Sequence, residues 1–323
     1  MRITLVALAC AFSASWASAE HGSPALPQQA TKTIYATLPA EVHVFWKTVE
    51  KGIEKAAEEH GYQTLIRSAH DDQQFVDDKN TESRLTRFLV DRGAKIIIIA
   101  PSQSVDTHLE IPKAEYVFAG RGADKFTLPY KGRTLVAIDS YEAGKKAALA
   151  LRGKLPAGAK VGVLDIDRRI VTINERVAGF VAGAKGLGFK VIFSVPILLG
   201  IRESQEIAKQ TLESHPDVRA VFTPNELTTL STMRAISTLP RNRRPLHVGF
   251  DFRREFAPDL RSGDLLAVVV QDPFLIGYKC AETVIALENG HTAPKQVAID
   301  TFVVDGSNLG KREIQDRLKV YFE

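Results

Sequence analysis

The residues of this 323-residue chain that are equipped for chemistry stand at the ends of apolar runs: Arg121 after EYVFAG, Asp139 after TLVAI, Asn225 after AVFTP, Asp251 after HVGF and Gln271 after LLAVVV. A short run rich in β-branched residues that stops on a hydrogen-bonding side chain reads as a buried strand. Such a strand delivers that group at its carboxyl end, where open α/β sheets bind ligands. The chemistry on offer is recognition, because a guanidinium donates, carboxylates accept and amides do both. Asp139 and Asn225 also have the plainer role of capping the helix that follows. Asp251 is harder to explain that way, since a carboxylate closing a buried strand needs a specific donor. Phe45 and Trp46 add an apolar wall. Adjacent aromatics cannot both face the core of one helix, so at least one is expected in a cleft.

Catalysis is not expected. No nucleophile, base and orienter can be assembled, and no GxSxG elbow occurs. Leu38-Pro39-Ala40-Glu41 follows the first strand where a dinucleotide-binding chain would carry its glycines. His43, His70, His215 and His247 lack metal-ligand spacing and read as surface or loop histidines. No catalytic residue, metal or cofactor is therefore assigned.

Elements that would position the polar groups alternate along the chain. Strands are predicted over 33–38, 62–67, 95–100, 116–119 and 134–138, then over 160–165, 190–195, 220–223, 247–250 and 265–270. Helices are predicted around 45–60, 81–91, 141–155, 174–187, 203–214, 226–238 and 272–289, with a last helix from about Gly310. The alternation argues for two successive α/β units with parallel sheets and right-handed crossovers. Asp272-Pro273 sets the start of the long helix after the strand 265–270, because proline is tolerated in a helix's first turn and disfavours helical dihedrals before it.

The first residues, MRITLVALACAFSASWASA, form a secretory signal peptide, with cleavage expected after Ala19; a lipid attachment at Cys10 is weighed and set aside. Residues 20–32 read as a tail. Cleavage removes Arg2 and no acid, so the formal charge of +4 falls by one unit, and nothing in it favours nucleic acid. It also removes Cys10 and leaves Cys280, expected to be buried and inert on the apolar face of its helix. A soluble chain in the periplasm is expected.

The stretches GIEKAAEEHGYQ, HPDVRAVFTPNE, HVGFDF and VVVQDPFLIG resemble the type I periplasmic binding proteins of the ribose-binding branch, related to the effector-binding core of LacI-type repressors. The resemblance spans roughly residues 33–305. It implies two Rossmann-like lobes joined by a three-strand hinge, residues 33–138 plus 272–300 and residues 139–271 plus 301–323. It implies closure on a monosaccharide or related polyol, without a cofactor, for delivery to an ABC permease. The alternative is presentation of the bound state to a membrane histidine kinase or chemoreceptor. The chain is expected to be a monomer unless bound to a sensor. A LacI-type DNA-binding headpiece has no place, since a signal peptide precedes the core.

The contacts implied by the resemblance are Phe45, Trp46 and Arg121 from the first lobe and Asn225, Asp251 and Gln271 from the second. Asp139 and Asn174 complete the candidate ligand-binding set. Asn174 stands where sugar binders carry an arginine, two before Arg176. Gly120 replaces an aspartate, His43 an asparagine, and an aromatic is missing near Leu199. These departures put the identity of the sugar in question.

Overall fold

The computed structural model describes residues 32–41, 43–70, 81–101, 114–121, 131–166, 170–197 and 200–321. The signal peptide, the cleavage site, most of the tail and Leu199 lie outside them.

The first sheet contains β1 (Thr33–Leu38), β2 (Gln63–Ser68), β3 (Ile96–Ile99), β4 (Glu115–Ala119), β5 (Lys131–Ala137) and, from late in the chain, β11 (Gln296–Ala298), in the order β11-β5-β4-β3-β1-β2. Its helices are α1 (Val44–Glu59), α2 (Thr81–Val90) and α8 (Pro273–Glu288). The second sheet contains β6 (Lys160–Asp165), β7 (Lys190–Pro196), β8 (Ala220–Phe222), β9 (Leu246–Phe250), β10 (Ala267–Val270) and β12 (Phe302–Asp305), in the order β12-β10-β9-β8-β6-β7. Around it lie α3 (Ser140–Leu149), α4 (Val171–Gly186), α5 (Ile201–Ser214), α6 (Glu226–Ser237), α7 (Ala257–Ser262) and α9 (Arg312–Leu318). Each sheet with its helices is a lobe, and the described chain changes sheet three times, after β5, after β10 and after β11.

The strands are unbroken apolar runs because both faces are covered. In β3 every isoleucine is buried: Ile96 and Ile98 join the core beneath α1 and α8, while Ile97 and Ile99 pack with Leu89 of α2. β10 repeats the arrangement. Val268 and Val270 meet Phe252, Leu260 and Leu318, whereas Val269 faces the opposite core with Phe250. One pairing departs from the expected parallel order, since β12 runs antiparallel to β10. A four-residue edge strand entered directly from β11 has no crossover helix to turn it parallel.

Glycines set how closely the helices pack. A Cβ on Gly277 of α8 would fall 1.9 Å from the carbonyl oxygen of Val49 in α1, and one on Gly144 of α3 would fall 2.0 Å from that of Arg176 in α4. Each lobe thus has a helix pair in close backbone approach, and each of these pairs carries residues that line the site described below. Cys280 is fully buried on α8, where burial pushes its thiol pKa up. His247, expected near the surface, is fully buried in β9. Its Nε2 lies 2.9 Å from Thr223 Oγ1, burial lowers its pKa to about 3 so that the ring is neutral, and its buried Nδ1 has no hydrogen-bond partner among the described residues.

Candidate ligand-binding site

A cavity with about 460 Å³ of empty space, including its mouth, lies where carboxyl ends of both sheets meet. Its first-lobe lining is His43, Phe45, Trp46, Gly120 and Arg121; its second-lobe lining includes Ile166, Ile173, Arg176, Asn225, Asp251 and Gln271.

The aromatic wall arises from the start of α1. Phe45 and Trp46 meet edge to face with centroids 4.8 Å apart, and both are buried. The Arg121 guanidinium lies 4.9 Å from the Trp46 ring centroid, in reach of a cation–π contact. Gly120 before it takes φ +68°, a left-handed value that glycine adopts without strain.

On the facing side, Asp251 and Gln271 end the neighbouring parallel strands β9 and β10. Gln271 Nε2 donates to Asp251 Oδ1 at 2.8 Å, and Tyr321 Oη, from the turn after α9, donates to the Gln271 carbonyl at 2.9 Å. Asp251 is 3% exposed and has φ +62°, the one positive φ outside glycine among the described residues. Aspartate tolerates that region better than most residues, but holding it there still costs free energy that the surroundings must offset. Burial raises the Asp251 pKa, opposed by the Arg176 charge and the Gln271 hydrogen bond. Arg176 is 5% exposed, donates Nη1 to Pro224 O at 3.0 Å and lies 4.0 Å from the Phe250 ring centroid. Desolvation lowers its pKa to about 10, which leaves it charged at neutral pH.

Asn225 has two roles. Its side-chain oxygen accepts from Thr228 N at 2.9 Å in a capping box that opens α6, and the same residue lines the cavity. The next residue, Glu226, is fully buried and lies 3.5 Å from His43 Nδ1 and 3.4 Å from Arg253 Nη1. His43 is therefore a buried cavity residue rather than the surface histidine expected. As the N-cap of α1 it makes no side-chain cap hydrogen bond, and its ring reaches across to Glu226 on the other lobe.

Two of the eight sequence candidates lie outside the cavity. Asp139 is exposed and caps α3, accepting from Glu142 N at 2.9 Å. Asn174 is exposed on α4, and Arg176 takes the inward place. The reason is the helix start. α4 begins at Val171 with Ile170 as an N-cap that makes no side-chain bond, not at Asn174. Residues 174 and 176 are then two apart on a formed helix, about 200° around the axis, and only one can face the cleft. Ile173, Arg176 and Phe180 are buried at three- and four-residue spacing, a signal already present in the sequence. His43 had no comparable signal.

Two α/β lobes with a shared cavity of aromatic and buried polar groups define a binding protein of hinged, two-lobed type. The chain belongs to the periplasmic binding protein domain family, whose model matches residues 34–292. It is similar to the ribose import binding protein of Bacillus subtilis (strain 168), 28% identical over 264 residues, which cover 79% of this chain and 81% of that protein. Among solved structures, an ABC transporter solute binding protein from Agrobacterium vitis bound with α-D-tagatopyranose matches with TM-score 0.79 and 19% identity, covering 88% of this chain and 98% of that one. The XylFII–LytSN complex matches with TM-score 0.74 and 18% identity, over 86% and 99% of the respective chains.

Proposed function

We propose that this protein is an exported solute-binding protein that captures a monosaccharide or related polyol by closing two lobes, and hands it to an ABC permease. The observation that carries the reading is the cavity lined from both sheets, with rings on one wall and buried hydrogen-bonding groups on the other. A sugar presents both a C–H face and directional hydroxyls, which such walls match. The likeness to a ribose import binding protein supports the same class. Six residues would make the contacts: Phe45, Trp46 and Arg121 from residues 33–138 plus 272–300, and Asn225, Asp251 and Gln271 from residues 139–271 plus 301–323. Ligand favours the closed form only through contacts absent when the lobes part, so a bridging ligand drives closure. Export follows from the signal peptide and places the site in the periplasm. The protein's role is binding, without turnover.

A sensory role, in which the closed form is read by a membrane histidine kinase or chemoreceptor, is the second reading. It is supported by the likeness to XylFII in the XylFII–LytSN complex.

Titration with aldoses and polyols tests the proposal. Loss of Trp16 with the signal peptide leaves Trp46 as the one tryptophan, so binding should change its emission. Ligand at a hundred times its Kd should also stabilise the protein by about 2.7 kcal/mol. No change in emission or melting at saturating concentrations of the whole panel would sink the idea.

A further inference from the structure

The charges facing the cavity narrow the ligand, on the footing of the sugar-binding reading above. Arg176 is a buried cation whose hydrogen bond goes to a neutral carbonyl, Pro224 O. Its Nε is buried and has no hydrogen-bond partner among the described residues, and it forms no ion pair with a carboxylate among them. Arg121 lines the same cavity and adds a second guanidinium. Against these two stands one lining carboxylate among the described residues, Asp251, whose Oδ1 already accepts from Gln271. Among the described residues, Glu226 lies against His43 and Arg253, and Glu175, the helix neighbour of Arg176, acts on it through its charge but does not line the cavity.

The Asp251 charge acts on Arg176 without an ion-pair contact, so the buried guanidinium has no directly bonded anion among the described residues, and a neutral sugar would exclude water from it without supplying one. We propose that the ligand is a polyhydroxylated carboxylate, a sugar acid of aldonate or uronate type, whose carboxylate meets Arg176 and Arg121 while its hydroxyls meet Asp251, Gln271 and Asn225. A planar carboxylate suits the guanidinium fork and gives charge-assisted hydrogen bonds.

Isothermal titration of the purified protein with matched pairs decides the matter: D-ribose against D-ribonate, D-galactose against D-galacturonate, with galactose 6-phosphate as a third arm. The expected result is at least about tenfold tighter binding of an acid than of its parent aldose. That advantage should disappear in Arg176→Gln, be partly retained in Arg176→Lys, which keeps the charge but loses the fork, and shrink as salt is raised. Equal or tighter binding of the parent aldose overturns the sugar-acid assignment and leaves the sugar-binding reading standing. Preference for the phosphate ester overturns it too. If no member of any pair binds, both readings fall. Should the Arg176 variants not fold, the wild-type comparison of each pair still decides.

Discussion

From the first lobe the cavity receives two rings and a partly buried guanidinium, Phe45, Trp46 and Arg121; from the second it receives Asp251, Gln271, Asn225 and the buried Arg176. The first wall is part of a hydrophobic core, since Phe45 and Trp46 pack with Val49 and Ile53 of the same helix. Its stability and its function therefore coincide. The second wall works the other way. Asp251 adopts a left-handed backbone and is desolvated, which raises its pKa, and Arg176 is buried with no carboxylate in ion-pair contact among the described residues. Free energy spent on holding those groups in the empty protein is recovered when a ligand meets them, so the second lobe is where stability and binding are opposed.

The largest expected effect tests that opposition. Asp251→Asn keeps a residue tolerant of positive φ and removes the charge, so binding should weaken by about 2–4 kcal/mol while the empty protein becomes at least as stable as wild type. The sign follows from the raised pKa. The folded state binds the Asp251 proton more tightly than the unfolded state does, so wild-type stability gains on the variant as pH falls through the folded-state value, and the gap closes in acid. Melting curves of both proteins across pH, with calorimetry on the ligand, measure it. A variant that melts lower at neutral pH and still binds would make Asp251 a structural residue.

A smaller effect separates the two helix pairs. Gly144→Ala and Gly277→Ala each push a Cβ into a facing carbonyl, at 2.0 Å and 1.9 Å, and should each destabilise by about 1–3 kcal/mol. Gly144→Ala presses on the backbone of Arg176 itself, so it should also weaken binding. Gly277→Ala meets Val49, one turn beyond the aromatic wall, and should leave affinity closer to wild type. Equal losses of affinity would erase the contrast between the walls.

The smallest effect sharpens the contrast between two caps. Asp139→Ala should cost about 1 kcal/mol of stability and leave affinity unchanged, because the side chain caps α3 and is exposed. Asn225→Ala should cost a similar amount of stability and lose affinity as well. Denaturant unfolding paired with ligand titration reads both.

Much of the fold was legible in the sequence. β1 and β6 begin and end where the apolar runs do, and α8 opens at Asp272-Pro273, with the Asp272 side chain accepting from Leu275 N at 2.8 Å. These features are local: a run covered on both faces, a cap, a proline at a first turn. The same locality made Asp251, Gln271 and Arg121 visible, since each closes a run. Other residues fell outside such rules. β11 and β12 are three and four residues long and carry no internal pattern strong enough to read. α7 follows a short 3-10 turn and was not anticipated.

What the sequence by itself determined was the order of elements, the double alternation of strand and helix, and the set of polar groups at strand ends, because each follows from contacts within a few residues. Tertiary structure decided which of those groups meet. Asp139 and Asn225 look alike as caps after strands, yet one is exposed and the other lines the cavity, because only the path of the chain between sheets sets which loop faces the other lobe. Asn174 and Arg176 exchanged roles through a three-residue difference in a helix start. His43 gained its place from Glu226, 183 positions later and on the opposite lobe. No local pattern encodes a contact between residues so far apart in the chain, and it forms once both cores have packed.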